Sequence, residues 1–170
     1  MMKKTILMTF LLATVCLVSN ASAQEYDSAL GLRFGYPLSV SYKTFLNETA
    51  AIEVIGGTRG IGNGNSGYRW YNIGAAYQVH KPVEIGGIDG LNYYFGAGGS
   101  IYLWSFNDGF ANEGARTSFG IQGYLGLSYT FNDTPINITL DWVPTFFLNG
   151  FNSGFGADYG GLGIRYILGQ

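Results

Sequence analysis

The sequence predicts an all-β fold, an eight-stranded antiparallel up-and-down transmembrane barrel with an apolar exterior and a polar lumen. Three observations predict it. Apolar residues alternate with small or polar ones at a period of two in eight separate segments, the signature of strands with one greasy face. Only 12% of the 170 residues are charged, where a soluble domain carries about a quarter. In the alternating segments the apolar face holds no Asp, Glu, Lys or Arg, and every strand charge falls on the opposite face. No later segment is an apolar run long enough for a helical span. An apolar exterior then requires a closed sheet, which satisfies its own backbone hydrogen bonds in lipid.

An export signal precedes the strands. Lys3 and Lys4 form a basic start, Ile6 to Val18 an apolar stretch, and Ala21-Ser22-Ala23 a small-residue cleavage site, so residues 1–23 read as a cleaved signal peptide. This stretch of 13 residues is too short for a spanning helix, which needs about 20. Cys16 does not fit lipidation, because Val15 stands where a small residue is expected. Residues 24–170 form one barrel domain without cysteine, so no disulfide staples it. The mature chain keeps seven basic residues against eleven acidic ones, which gives no sign of nucleic-acid binding.

The strands follow in order. Over residues 28–36, Leu30, Leu32, Phe34 and Tyr36 share the outer face and Gly31, Arg33 and Gly35 the inner one. Over 39–46, Val40, Tyr42 and Leu46 oppose Ser41 and Lys43. In the third segment Ile52 and Val54 oppose Ala51, Glu53 and Ile55. Over 70–79, Tyr71, Ile73, Ala75, Tyr77 and Val79 oppose Asn72, Gly74, Ala76 and Gln78. Over 91–104, Leu91, Tyr93, Phe95, Ala97, Ile101 and Leu103 oppose Asn92, Gly96, Gly98 and Ser100, and Trp104 points inward. The sixth sets Phe119, Ile121, Leu125, Leu127, Tyr129 and Phe131 against Ser118, Gly120, Gln122, Gly126, Ser128 and Thr130. The seventh sets Ile136, Ile138, Leu140 and Trp142 against Asn137, Thr139 and Asp141. In the last, Leu162, Ile164, Tyr166 and Leu168 oppose Gly161, Gly163 and Arg165.

An even strand number puts both termini on one side, the periplasm. Asn47-Glu48-Thr49 and Asn132-Asp133-Thr134-Pro135 are turn signals at periplasmic positions. Segments 59–68, 105–116 and 147–158, rich in Gly and Asn, fall at outward positions as surface loops and offer the surfaces for an external ligand.

Five charges lie on strands, all facing inward: Arg33, Lys43, Glu53, Asp141 and Arg165. A hairpin centred near Glu48 sets Lys43 opposite Glu53, one near position 38 sets Arg33 opposite Lys43, and one at Ser153 sets Asp141 opposite Arg165. Three bases and two acids are thus expected to form a structural lumen network, since buried ions must be paired. Eight strands leave an interior about filled by side chains, so the expectation is a plugged barrel and not an open pore.

At this point the chain resembles the small eight-stranded outer-membrane barrels of Gram-negative bacteria, similar to OmpX and the OmpA transmembrane domain. In the last strand Gly163, Tyr166 and Leu168 match that family's assembly signal: glycine, two residues, aromatic, one residue, hydrophobe. Gly161 stands where a polar residue is usual, and the chain ends in Gly169-Gln170 instead of an aromatic. Segments 31–35, 42–46 and 93–99 also look like small barrels of the outer membrane. The resemblance implies residence in outer-membrane lipid and recognition by periplasmic chaperones and the barrel-assembly machinery. It implies location more firmly than activity.

Chemistry is sparse, and no cofactor is expected. Residues Gly62 to Gly67 match a dinucleotide fingerprint by spacing, but a strand follows where a helix is required. Asp108, Asn112 and Glu113 offer oxygen ligands without the spacing of a calcium loop. His80 is the lone histidine, placed by this topology at the periplasmic end of the fourth strand, and no serine and acid converge on it through a recognisable motif. The favoured function is a non-enzymatic barrel presenting surface loops for adhesion, defence or envelope integrity. The alternatives are a lipid-modifying barrel enzyme working through His80, and a soluble periplasmic lipocalin-like binder with the aromatic rows turned inward.

Overall fold

A computed structural model of the chain describes residues 26–63, 66–84, 88–106, 117–150 and 153–169. Ten strand segments succeed one another: β1 (Ser28–Tyr36), β2 (Leu38–Phe45), β3 (Ala50–Asn63), β4 (Ser66–Pro82), β5 (Leu91–Phe106), β6 (Thr117–Thr130), β7 (Ile136–Trp142), β8 (Thr145–Phe147), β9 (Gly154–Gly156) and β10 (Gly160–Gly169). They make eight staves, because two staves are interrupted. β8 continues β7 along β6 after a break at Val143-Pro144, and β9 continues β10 after a break at residues 157–159. Proline has no N–H for a ladder bond. The Pro144 carbonyl still accepts from Gly123 N at 2.9 Å, so the stave stays attached across its break.

Each stave pairs antiparallel with its sequence neighbours, and β1 pairs with β10 to close the barrel. Closure removes the edges that β1 and β10 would otherwise present, while β9 pairs on one side only, with β8. Among the described residues no helix is long and apolar enough to cross a membrane, which says nothing about crossing by strands.

The faces follow the alternation of the sequence. Leu30, Leu32, Val40, Val54, Ile73, Leu103, Ile121, Leu125, Leu140 and Ile164 all lie on the exterior, with Ile73 62% and Leu140 59% exposed. Arg33, Lys43, Glu53, Gln78, Asn137, Asp141 and Arg165 are buried in the lumen. A lipocalin-like binder requires the opposite parity, and the faces do not supply it.

Several expectations need correction. Tyr36 does not join the outer row, since at the end of β1 its ring packs at 5.0 Å against Tyr159 and 5.8 Å from Trp70. Segment 59–68 is mostly not a loop: β3 and β4 run on as a ladder, with Arg59 opposite Trp70 and Ile61 opposite Tyr68. Backbone pairing is indifferent to glycine-rich composition, and Gly62 (φ 119°) takes a conformation that favours glycine. Segment 147–158 likewise contains β9 and its hairpin to β8, and residues 151–152 lie outside the described set. Of 105–116, Ser105 and Phe106 end β5, while residues 107–116, including Asp108, Asn112 and Glu113, lie outside it, as does the leader 1–23.

The lumen is also more aromatic than the small-residue face suggested. Trp70, Tyr102, Trp104, Phe147 and Tyr159 pack together inside the end that carries the β1–β2 turn, and Tyr94 and Tyr124 are buried further down. At the end that carries the termini, Tyr26, Ala29 and Ile167 form a smaller apolar cluster with Phe45.

Candidate functional site

Between these two apolar ends lies a charged belt. Arg33 on β1, Lys43 on β2, Glu53 on β3, Asp141 on β7 and Arg165 on β10 reach it because each sits on the inward parity of its strand. Arg33 Nη2 donates to Asp141 Oδ1. Arg165 Nη2 donates to Glu53 Oε1, and Lys43 Nζ stands 3.5 Å from Glu53 Oε2. Glu53 therefore serves two cations.

Neutral side chains complete the belt. Gln78 Nε2 donates to Glu53 Oε2 at 2.8 Å, and the Tyr94 hydroxyl donates to Asp141 Oδ2 at 2.6 Å. Arg165 Nε donates to Ser41 Oγ at 3.1 Å and its Nη1 to Thr139 Oγ1 at 2.8 Å. Lys43 Nζ also lies 4.5 Å from the centre of the Tyr94 ring, so that ring faces a cation while its hydroxyl holds an anion. Two belt atoms stay without a hydrogen-bond partner, Arg33 Nε and Lys43 Nζ, the latter meeting Glu53 through charge.

The pairing differs from the hairpin arithmetic in two of three places. Lys43 does stand opposite Glu53 in the β2–β3 ladder. Arg33, however, stands opposite Ser39, and Lys43 opposite Ala29, because the β1–β2 pairing is centred at position 36 and not 38. Asp141 stands opposite Gly161 and Arg165 opposite Asn137, because the 147–158 segment folds into its own hairpin and draws the register back. Both slips are even-numbered, so every side chain keeps its face while its neighbour changes. Two of the three ion pairs, Arg33–Asp141 and Arg165–Glu53, consequently join strands that are not adjacent, while Lys43–Glu53 joins neighbours.

Glycines make room for the belt. Gly31 stands opposite Arg165, and a methyl there would come within 2.7 Å of Arg165 Cγ. A methyl at Gly163 would lie 3.2 Å from Arg165 Nη1 and 3.5 Å from Arg33 Cγ, and closer still to Thr139 Oγ1. Tyr166 and Leu168, the other two members of the sequence motif, point outward and are exposed.

His80 does not sit at an exposed turn. It is buried, its ring stacked at 4.8 Å on Tyr94 and 5.0 Å from Phe45, with Nε2 3.4 Å from Gln78 Oε1. Among the described residues no serine hydroxyl is hydrogen-bonded to it, and no group of three or more His, Cys, Asp or Glu is placed to hold a metal ion. Sequence reasoning left Tyr94 and Gln78 out of the network; inward parity marks both, but their targets are set by barrel closure.

No protein-family model matches the chain, and no curated protein matches it. Among solved structures it is similar to the crystal structure of Neisserial surface protein A (NspA), at 17% identity over 84% of this chain and 94% of that one, with a TM-score of 0.57. At that identity the likeness is one of fold, and the chain shares with that surface protein the closed eight-stranded antiparallel barrel.

Proposed function

We propose that this chain is a non-enzymatic integral outer-membrane barrel of the small OmpX and OmpA-transmembrane-domain kind. Exported by residues 1–23, it keeps both termini in the periplasm and presents surface segments within 59–68, 105–116 and 147–158 for adhesion, defence or envelope integrity. The observation that carries this reading is the reversed polarity of the sheet: large aliphatic residues stand exposed around the exterior while Arg33, Lys43, Glu53, Asp141 and Arg165 are buried inside. Water would oppose that arrangement, whereas lipid favours it. The similar fold of a Neisserial surface protein is in line with it.

In this reading the belt of Arg33, Lys43, Glu53, Asp141 and Arg165 is a structural plug, and the aromatic layer above it a second closure. Outer-membrane lipid is the permanent partner. Chaperones and the barrel-assembly machinery are transient ones, with Gly163, Tyr166 and Leu168 as the assembly signal. The buried, stacked setting of His80 supports a packing role over a catalytic one.

The test is a heat-modifiability gel on washed outer membranes, comparing boiled with unboiled samples. A mature-sized band in that fraction that shifts on boiling is the expected result. Recovery of the protein in the soluble periplasm without detergent would overturn the reading.

A further inference from the structure

Above the β1–β2 hairpin, one edge of β3 is uncovered. That hairpin turns at Pro37, and its last rung against β3 is Leu38 opposite Thr58. β3 climbs on to Asn63, paired with β4 alone. Rungs lower down show which way its backbone groups point. Ala50 O accepts from Leu46 N on the β2 side, and Thr49 O accepts from His80 N on the β4 side. In an antiparallel ladder this alternation repeats every two residues, and the β3–β4 register runs unshifted to the end of the strand. The N–H and C=O of Gly60 and Gly62 therefore point away from β4, to a side where no described strand pairs with them.

Exposed edges are normally blunted by proline, a bulge or an outward charge. Residues 59–63 hold no proline and no bulge, and Arg59 lies on the inward parity, 4.1 Å from the centre of the Tyr36 ring. Unpaired backbone groups are not tolerated in hydrocarbon, so in the outer-membrane reading this edge stands above the lipid. Its flanks set what fits it. On the inward parity Ile61 is 41% exposed and begins an apolar row, standing opposite Tyr68, which stands opposite Phe106. On the outward parity Gly60 has no side chain, and Arg69 opposite it reaches back over the gap. A methyl at Gly60 would have Arg69 Nε as its nearest neighbour, at 3.6 Å. Arg69 is exposed and joins no ion pair among the described residues.

We infer that the Gly60–Gly62 edge binds, by strand addition, an extended segment of another protein in which acidic and apolar residues alternate. An apolar side chain of that segment continues the row at Ile61, and its acidic neighbour meets Arg69 over Gly60. The segment's backbone satisfies the free groups of both glycines. A second copy of this chain fits poorly, because two such edges joined about a two-fold axis along the strands set Arg69 beside its twin. The inference deepens the role given to segment 59–68 and rests on the outer-membrane reading for the outward direction of the edge. Failure of that reading shows in the heat-modifiability gel, and failure of the docking surface in peptide binding to the detergent-refolded barrel.

The experiment uses the mature chain, isotope-labelled and refolded in detergent, titrated with the capped peptide Thr-Val-Asp-Val-Asp-Val-Thr, whose symmetry serves either strand direction. Saturable shifts of the Gly60 and Gly62 amide signals are expected, with slowed hydrogen exchange at both. Arg69→Gln should weaken binding about two- to fivefold, as loss of an exposed ion pair does. Gly60→Pro should abolish it, since the lost N–H points away from β4 and the β3–β4 hairpin stays paired. If Gly60→Pro does not fold, the same peptide methylated at every backbone nitrogen decides, because it cannot pair as a strand and should not bind. Absence of a saturable shift at either glycine would overturn the inference, as would binding undiminished by methylation. Equal binding of Thr-Val-Lys-Val-Lys-Val-Thr would overturn it too. So would a dimer that forms through these glycines without peptide, which gives the edge to a second copy.

Discussion

Arg165 on β10 and Glu53 on β3 are 112 residues apart in the chain and meet as a fully buried ion pair. Two staves, β1 and β2, separate their strands in the sheet. The same guanidinium also bonds Ser41 on β2 and Thr139 on β7, so one side chain ties together four staves that include both sides of the β1–β10 closure.

Removing either partner strands the other. Breaking a buried pair costs about 3–5 kcal/mol, because it leaves an uncompensated charge. Arg165→Met and Glu53→Gln should each lower the urea midpoint of the refolded barrel strongly, and the double variant should lose less than the sum of the two. Additive losses within about 0.5 kcal/mol would show that the two residues act independently.

Gly163 has two candidate roles that can be separated. As space for Arg33 and Arg165 it should not tolerate a methyl, and overpacking costs about 1–3 kcal/mol. Gly163→Ala should therefore destabilise protein refolded in detergent, where no assembly machinery is present. Gly99→Ala is the control, since its nearest neighbour would be Gly120 O at 3.6 Å on the exterior side and its midpoint should stay put. If Gly163→Ala refolds with unchanged stability but fails to appear in cells, its role lies in assembly alone.

The exterior can be probed with one charge. Ile73 stands 62% exposed near the middle of β4, where arginine in a barrel crossing a bilayer costs about 2–4 kcal/mol at the midplane. A surface substitution in water usually stays within about 0.5 kcal/mol. Ile73→Arg should therefore impair folding into lipid vesicles. An unchanged unfolding free energy in those vesicles would mean that lipid does not cover this face.

Alternation alone was enough to assign the faces, because a period of two is a local property: Leu30, Leu32 and Phe34 lie outside and Arg33 inside whatever their strand pairs with. Barrel closure and low charge content follow from the same local pattern, since eight one-sided strands can hide their backbone only by joining ends. Strand lengths were less legible. β3 runs to Asn63 through glycines that carry no alternation, because the ladder with β4 is made by backbone groups.

The sequence by itself determined which strand side chains enter the lumen and which face outward, with Tyr36 at the end of β1 as an exception. Only the tertiary structure decided which of them meet. Arg33 found Asp141 and Arg165 found Glu53 through turns that slipped the register by even steps, and such slips leave the alternation unchanged. The inward aromatics Trp70, Tyr94 and Tyr102 were unreadable as a layer for a related reason. Their parity is local, but their common neighbourhood exists only once β1 and β10 close the sheet and bring distant staves face to face.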